Sequence, residues 1–402
     1  MKLKINLEEA QKCLNCKIPK CMEGCPIHNR IPEFIEKIKD ENYEEAYKII
    51  RSVNPLGAIC GRVCPHENQC QGNCVRGIKS NPILIGSLEA AVCDWARENQ
   101  VKIKNEIIEN GKKVAIVGAG PAGISCAVDL RKLGYDVTIF EKETFLGGIL
   151  MYGIPEYRLS KQLVTEVIND LLEMGIHVEY NTMLSKNNSN LKEEKIITID
   201  SLFEENYQAI FLGIGSEISN LLSIEGIEKQ GVHGANEFLK EERNCKDKKF
   251  IVVGGGNVAM DAARVAKREG ADVTIVYRRL KENMPANRDE IEAAEQEGIK
   301  FIFQTNVIKI MGEEKVTHVE SDTGLIMEVD DIVMAIGSTP NINNIDERLK
   351  LTEQGLIEIN ENYETSIPNV FAGGDLVQKK ATVCMAIKNG KESAQAIHEK
   401  LF

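Results

Sequence analysis

Aromatic residues are scarce in this chain of 402 residues, at 5% with a single tryptophan, and no apolar run approaches the roughly 20 residues needed to span a bilayer. A membrane span is therefore not expected. Positive charge is also in short supply. Lys and Arg number 49 against 61 Asp and Glu, a net charge of −12. With no basic stripe against that balance, neither nucleic acid nor an anionic membrane surface is an expected partner. The opening MKLKINLEEA lacks the apolar core of a secretory signal, which predicts a cytoplasmic protein. The 6 histidines are scattered, with no HExxH and no triad-like arrangement, so hydrolytic chemistry has no visible carrier. Hydrophobic residues at 43% and charged residues at 27% are ordinary for a globular protein, and the length predicts two or three domains.

The chain is rich in cysteine, with 12 in all. Eight of them form two blocks, Cys13, Cys16, Cys21, Cys25 and Cys60, Cys64, Cys70, Cys74. Disulfides do not persist in a reducing cytosol, so a dense cluster there points to metal. Structural zinc is the rival reading, but zinc sites present paired CxxC knuckles, and only Cys13 and Cys16 have that spacing. The run CxxCxxxxCxxxCP is closer to that of a ferredoxin, whose last cysteine serves the other cluster, and it predicts two [4Fe–4S] clusters. On that crossed pattern Cys13, Cys16 and Cys21 share one cluster with Cys74. Cys25, Cys64 and Cys70 are then one ligand short, which Cys60 or Glu89 could supply. Cys93, Cys126, Cys245 and Cys384 read as core or surface thiols.

Behind the cysteines the same supersecondary unit is written twice. VAIVGAGPAGISCAVDLRKLGYDVTIFEKE and FIVVGGGNVAMDAARVAKREGADVTIVYRR each read as strand, glycine turn, helix, strand. In the first, Gly118, Gly120 and Gly123 serve the turn, the approach to a pyrophosphate and helix packing, and Glu141 ends the next strand where an acid accepts ribose hydroxyls. In the second, Gly254 and Gly256 precede Asn257 and Val258 at the helix start. The strand-end acid is replaced by Tyr277, followed by Arg278 and Arg279, a pair suited to a 2′-phosphate and therefore to NADP(H). Gly148 in FLGGIL joins the first dinucleotide's expected contacts. Gly374 and Asp375, in a GGD after the strand NVFA, could meet the ribityl and phosphate part of a flavin, although that motif alone is a plain turn.

These readings predict an α/β protein with two Rossmann-like nucleotide-binding domains, a disulfide-reductase-like FAD/NAD(P) fold, preceded by an α-helical iron–sulfur domain. The expected boundaries are 1–105 for the cluster domain, 106–215 with 331–402 for a discontinuous FAD domain, and 216–330 for the NADP(H) domain. Amphipathic helices are expected at Ile31 to Ile50 and Ile85 to Glu98, and loops at Asn99 to Lys112, Ser185 to Lys195, Lys240 to Lys249 and Asn341 to Glu347. Disulfide reductases keep a cysteine pair beside their flavin, but Cys126 and Cys245 each lack a neighbour, so electrons must leave by another route.

KCLNCKIPKC leading into GCP, ICGRVCPHENQCQGNCV, NPILIGSLEAAVCDWA, YGIPEYRLSK and, above all, VTIVYRRLKENMPANRDEIEAAEQEGIKF resemble the glutamate synthase small-subunit family nearly end to end. Its relatives include the large subunit of the ferredoxin-dependent NADH:NADP transhydrogenase and the flavin-containing half of dihydropyrimidine dehydrogenase. The resemblance implies an NADPH-dependent oxidoreductase that passes hydride to FAD and single electrons to two [4Fe–4S] clusters and a partner subunit. It favours Glu89 over Cys60 as the fourth ligand and places Arg158 and Thr382 against FAD. Electron input to a dihydropyrimidine dehydrogenase or a ferredoxin:NAD(P) transhydrogenase is the alternative, and a zinc-stapled NADP-binding structural protein is the alternative of another class. No residue is nominated as a general acid or base.

Overall fold

A computed structural model of the chain describes residues 2–104, 106–186, 195–241, 243–342, 344–379 and 382–402. Most of the loop expected at Ser185 to Lys195 lies outside them. The chain forms two compact units, one of residues 1–151, 156–215 and 342–402, the other of 152–155 and 216–341.

The first unit begins with helices. The stretch expected to be one helix is two, α1 (Ile31–Lys39) and α2 (Tyr43–Val53). Glu41 takes a left-handed φ of 53° between them, and Asn42 caps α2 by accepting a hydrogen bond from the Glu45 amide at 3.2 Å. Next come α3 (Gly57–Val63) and α4 (Ile85–Glu98), the latter matching its expected span. They meet closely because Gly61 lacks a side chain: a Cβ there would lie 2.6 Å from the Gly86 carbonyl oxygen and 2.7 Å from the Ala90 nitrogen.

Then comes the first fingerprint: β1 (Lys113–Val117), α5 (Pro121–Lys132) and β2 (Asp136–Phe140). Strands β3 (His177–Glu179) and β4 (Ala209–Leu212) flank β2 and β1, all parallel. Four consecutive buried residues in β1 and in β4 suit a sheet covered on both faces.

The second unit holds β5 (Val232–Gly234), β6 (Lys249–Val253), α6 (Asn257–Arg268), β7 (Asp272–Tyr277), α7 (Arg288–Gln296), β8 (Lys300–Phe303) and β9 (Asp331–Met334). Its parallel sheet runs β8-β7-β6-β9-β5. Strand β9 pairs with β6, so residues 331–341 belong here and not to the first unit as expected. A strand fully buried beside β6 completes this sheet, and the chain returns to the first unit only at Ile342. A separate antiparallel trio, 307–311, 318–321 and 326–328, packs with Ile251, Val253 and Ile332 in one apolar cluster.

Back in the first unit, β10 (Val370–Ala372) adds to the edge of the sheet, giving β10-β4-β1-β2-β3, and α8 (Val383–Leu401) ends the chain. Helix α8 lies directly on α5. A Cβ at Gly390 would collide with the Ala122 carbonyl, Ser125 Oγ donates to the Ile387 carbonyl at 3.2 Å, and Lys391 pairs with Asp129 at 2.6 Å. Among the described residues no helix is long and apolar enough to cross a membrane. Because backbone fills the space a side chain would need, Gly390→Val should cost about 1–3 kcal/mol and lower the melting midpoint by a few degrees. A melting curve identical to that of the unaltered protein would show that the two helices can separate freely.

Candidate functional site

The C-terminal end of β1 is built for close approach. Gly118 takes φ 96° with its amide bonded to Phe140 O at 2.8 Å, and a Cβ there would stand 2.7 Å from Gly213 O. Gly123 could carry no Cβ without striking the Gly118 carbonyl, so it sets the distance between helix and turn. Gly120 caps α5 with no side-chain hydrogen bond, leaving the first amides of a 12-residue helix for a phosphate. Gly148, at φ 54°, folds against it, and a Cβ would lie 3.1 Å from Gly120 Cα. Glu141 is buried at the end of β2, accepting from the Ala119 amide at 2.7 Å and the Glu143 amide at 3.0 Å. Burial raises its carboxyl above the usual range despite those bonds.

Two more expected contacts come from the end of the chain. Gly374, at φ 73°, donates its amide to Asn389 Oδ1 at 3.1 Å, and its Cβ would meet Ala122 Cβ at 3.1 Å. Asp375 follows, with its pKa pushed up to about 6 by burial. Thr382 caps α8, its hydroxyl accepting from the Met385 amide at 3.2 Å. Arg158 lies in the same unit, half-buried before the helix Lys161–Leu172. The fold thus gathers Gly118, Gly120, Gly123, Gly148 and Gly374 around the start of α5. A bare helix start, glycine-thin walls and a strand-end carboxylate fit an adenine dinucleotide such as FAD.

The second unit repeats the device. Gly254 has φ 147°, Gly256 opens α6 without a side-chain cap, and Val258 is exposed on the first turn. Asn257 Oδ1 accepts from the Asn287 amide at 2.9 Å, tying the MPANRDE stretch to the glycine turn, and the Tyr277 hydroxyl donates to Asn283 O at 2.7 Å. Arg278 and Arg279 stand exposed just past β7. Nearby, Arg264 joins α6 to α7 by donating to Glu297 Oε1 at 2.9 Å and pairing with Glu290.

The N-terminal cysteines fall into two groups. Cys13, Cys16, Cys21 and Cys74 line one small cavity of about 20 Å³, walled by Ile31, Ile35, Ile83 and Ile85. Burial and neighbouring thiols push Cys21 up to about 12, the behaviour of sulfurs crowded together without a cation. Cys25, Cys60, Cys64 and Cys70 are buried elsewhere in the same unit. Beside them Glu89 accepts from Asn29 Nδ2 at 2.8 Å and Asn54 Nδ2 at 2.9 Å, both on Oε1, and burial lifts it to about 8. Cys60 is held by Asn54 Oδ1 at 3.8 Å, and His66 Nε2 lies 3.0 Å from the Cys60 carbonyl. A member that sequence reasoning missed is Cys384, on the first turn of α8. It is buried on a helix that packs against α3, and its thiol perturbs those of Cys25, Cys60 and Cys64. No signal in CMAIKNGK marks it, since its partners lie far along the chain. Asn29 and Asn54 were missed for the same reason.

Among the described residues no three His, Cys, Asp or Glu side chains converge tightly enough for a single metal ion. A four-iron cube offers each thiolate its own corner, so it asks for wider spacing than a mononuclear site. Eight soft thiol donors, four half-buried around an apolar cavity and four buried, suit iron–sulfur ligation.

Fold and site together define a pyridine-nucleotide flavoprotein with an iron–sulfur module attached. Residues 112–395 match the family described as pyridine nucleotide-disulphide oxidoreductase, and residues 1–101 match dihydropyrimidine dehydrogenase domain II, 4Fe-4S cluster. The chain is 35% identical to the NAD-dependent dihydropyrimidine dehydrogenase subunit PreT of Escherichia coli K12, over 98% of this chain and 94% of that one. It is 32% identical to the glutamate synthase [NADPH] small chain of the same organism, over 97% and 90%. Among solved structures, Lactococcus lactis thioredoxin reductase superposes with a TM-score of 0.57 at 24% identity, covering 72% of this chain and 98% of that one, which supports the fold. The chain belongs to the pyridine nucleotide-disulphide oxidoreductases and, within them, to the glutamate synthase small-subunit family. It is an oxidoreductase that binds FAD and NAD(P) and carries a 4Fe-4S domain.

Asp375 supplies a pH test. Its folded pKa near 6 exceeds the unfolded value of about 3.9, so its burial costs nothing at low pH, and the cost grows as pH rises through 4 to 6. In flavin-free protein, Asp375→Asn should melt higher than the unaltered chain at pH 7.5, with the gap closing toward pH 4. An equal gap at both pH values would contradict this.

Proposed function

We propose that this chain is an NADPH-dependent electron-input subunit of glutamate synthase small-subunit type, taking hydride from NADPH and delivering single electrons to a partner subunit through two [4Fe–4S] clusters. The observation that carries it is the meeting of Cys74 with Cys13, Cys16 and Cys21 around one apolar cavity in the unit that also bears the FAD fingerprint. Bound FAD supplies the conversion of a two-electron donor into one-electron steps. The protein's own residues bind and position. The open start of α5 takes the FAD pyrophosphate, Glu141 the ribose, and Gly148, Arg158, Gly374, Asp375 and Thr382 surround the remainder. In the second unit Gly254, Gly256, Asn257 and Val258 take the NADPH pyrophosphate.

NADPH is preferred over NADH because the strand end after β7 offers two exposed guanidiniums and no carboxylate. Cys13, Cys16, Cys21 and Cys74 hold the first cluster. Cys25, Cys64 and Cys70 hold three corners of the second, whose fourth is open to Glu89 or Cys60 on resemblance and spacing. The partner reading rests on relatives that are themselves named as subunits or chains, including an NADP(+)-dependent formate dehydrogenase subunit beta of Moorella thermoacetica at 33% identity. Electron input to a dihydropyrimidine dehydrogenase is the second reading, favoured by the 94% coverage of the PreT subunit.

Arg278→Ala should lower kcat/KM for NADPH about tenfold or more, the worth of one charge-assisted bond, and leave NADH nearly unchanged. An unchanged ratio between the coenzymes would remove the phosphate clamp. Cys74→Ala should lose about four irons per chain, as should Cys13→Ala. Full iron content in both would undo the first cluster's assignment. Co-purification from the native cell tells the two readings apart, since the captured subunit is either an amidotransferase or a pyrimidine reductase.

A further inference from the structure

The GGD turn is held from behind by a chain of hydrogen bonds. The Gly374 amide donates to Asn389 Oδ1 at 3.1 Å, Asn389 Nδ2 donates to the Tyr363 hydroxyl at 3.2 Å, and that hydroxyl donates to Glu392. Burial and the Glu392 carboxylate push the Tyr363 phenol up to about 12, so it keeps the proton it donates. The chain runs one way only. A backbone N–H at one end can only donate and a carboxylate at the other only accepts, so the Asn389 amide cannot turn over without setting two donors face to face.

Three features tie this chain to the turn more than to the helix that carries it. Asn389 is 4% exposed in the middle of α8, a place that disfavours asparagine because its amide competes for backbone groups. It stands against the turn itself: a Cβ at Gly373 would lie 3.1 Å from Asn389 Cβ and 3.0 Å from Phe211 Cζ. Tyr363 takes a left-handed φ of 60°, a costly conformation for an aromatic residue. It is held there at both ends, its carbonyl accepting from the Ala372 amide at 3.0 Å while its hydroxyl meets Asn389. The next residue along α8, Gly390, is the one pressed on the Ala122 carbonyl, and Ala122 also faces Gly374. Two adjacent residues of the last helix thus reach the turn and the start of α5.

We propose that Asn389, backed by Tyr363 and Glu392, is a positioning residue for the flavin, holding Gly374 in its left-handed conformation so that the turn is preset before FAD binds. This rests on the reading that Gly374 and Asp375 lie against FAD. Without the acceptor, the turn of the FAD-free protein would relax and give its amide to water. Binding FAD would then have to re-form the turn with a buried donor unpaired, so the loss falls on FAD affinity more than on the fold.

The test strips full-length protein of FAD and titrates FAD back, following flavin fluorescence and the visible spectrum of the bound flavin. Asn389→Leu keeps the bulk and removes the acceptor, and it should weaken FAD binding about tenfold. Asn389→Asp keeps an oxygen opposite the Gly374 amide and should recover most of that affinity, even where its melting midpoint falls. Tyr363→Phe removes only the outer link and should lie between the two. Ser125→Ala removes a different bond between α5 and α8 and should bind FAD like the unaltered protein. The proposal is overturned if Asn389→Leu binds FAD as tightly as the unaltered protein, or if Asn389→Asp binds no better than Asn389→Leu. It is overturned equally if Ser125→Ala weakens FAD as much as Asn389→Leu, since loosened helix docking would then be the cause. Should Asn389→Leu fail to fold, Tyr363→Phe answers at a half-buried position, where unchanged FAD affinity overturns the proposal. Gly374→Ala separates the two readings. It disturbs the turn directly, and FAD affinity unchanged in that variant would sink the placing of the turn against FAD itself.

Discussion

The contact on which the first unit depends is the crossing of α8 over α5, backbone against backbone at Gly390 and Ala122. It brings the last helix of the chain to the first fingerprint and fixes three things in one stroke. Gly374 is set against Ala122, Asp375 follows it half-buried, and Cys384 is buried in the same unit as the N-terminal thiols. Dispersion forces and burial favour so close a contact only where no side chain intervenes, and the small residues Ala122, Ser125, Cys126 and Gly390 provide it.

Buried thiols and carboxyls in an apolar setting are unfavourable as anions, and burial drives Cys21, Cys70 and Glu89 all upward. A bound iron–sulfur cluster would offset that penalty, because a cation stabilises the thiolate form. Ile31, Ile35, Ile83 and Ile85 form an apolar wall on one side of the first thiol group.

The two nucleotide units differ most at a single strand end. Both place glycine at the sharp turn and leave a helix start uncapped, so backbone geometry does not distinguish one coenzyme from the other. What differs is the end of the second strand, a buried carboxylate in one unit and exposed guanidiniums in the other. On the function proposed above, charge and hydrogen-bonding capacity, and not shape, would separate ribose hydroxyls from a ribose phosphate there.

Local order was written in the sequence: the two fingerprints, α4 from Ile85 to Glu98, the β7 strand end and the ferredoxin-like cysteine run all depend on near neighbours, whose spacing is fixed by helix and strand periods. The grouping of Cys74 with Cys13, Cys16 and Cys21 around one cavity was expected from the crossed ferredoxin pattern and not from near-neighbour spacing. The break at Glu41 was not, because a left-handed residue inside an amphipathic stretch leaves the hydrophobic pattern intact. Nor was the membership of β9, whose apolar run fits either sheet and is decided by which neighbour offers free backbone groups, here β6. The placing of Cys384, Asn29 and Asn54 was settled by tertiary structure alone. Partners so distant along the chain are chosen by how helices pack, and no local period of a sequence encodes that.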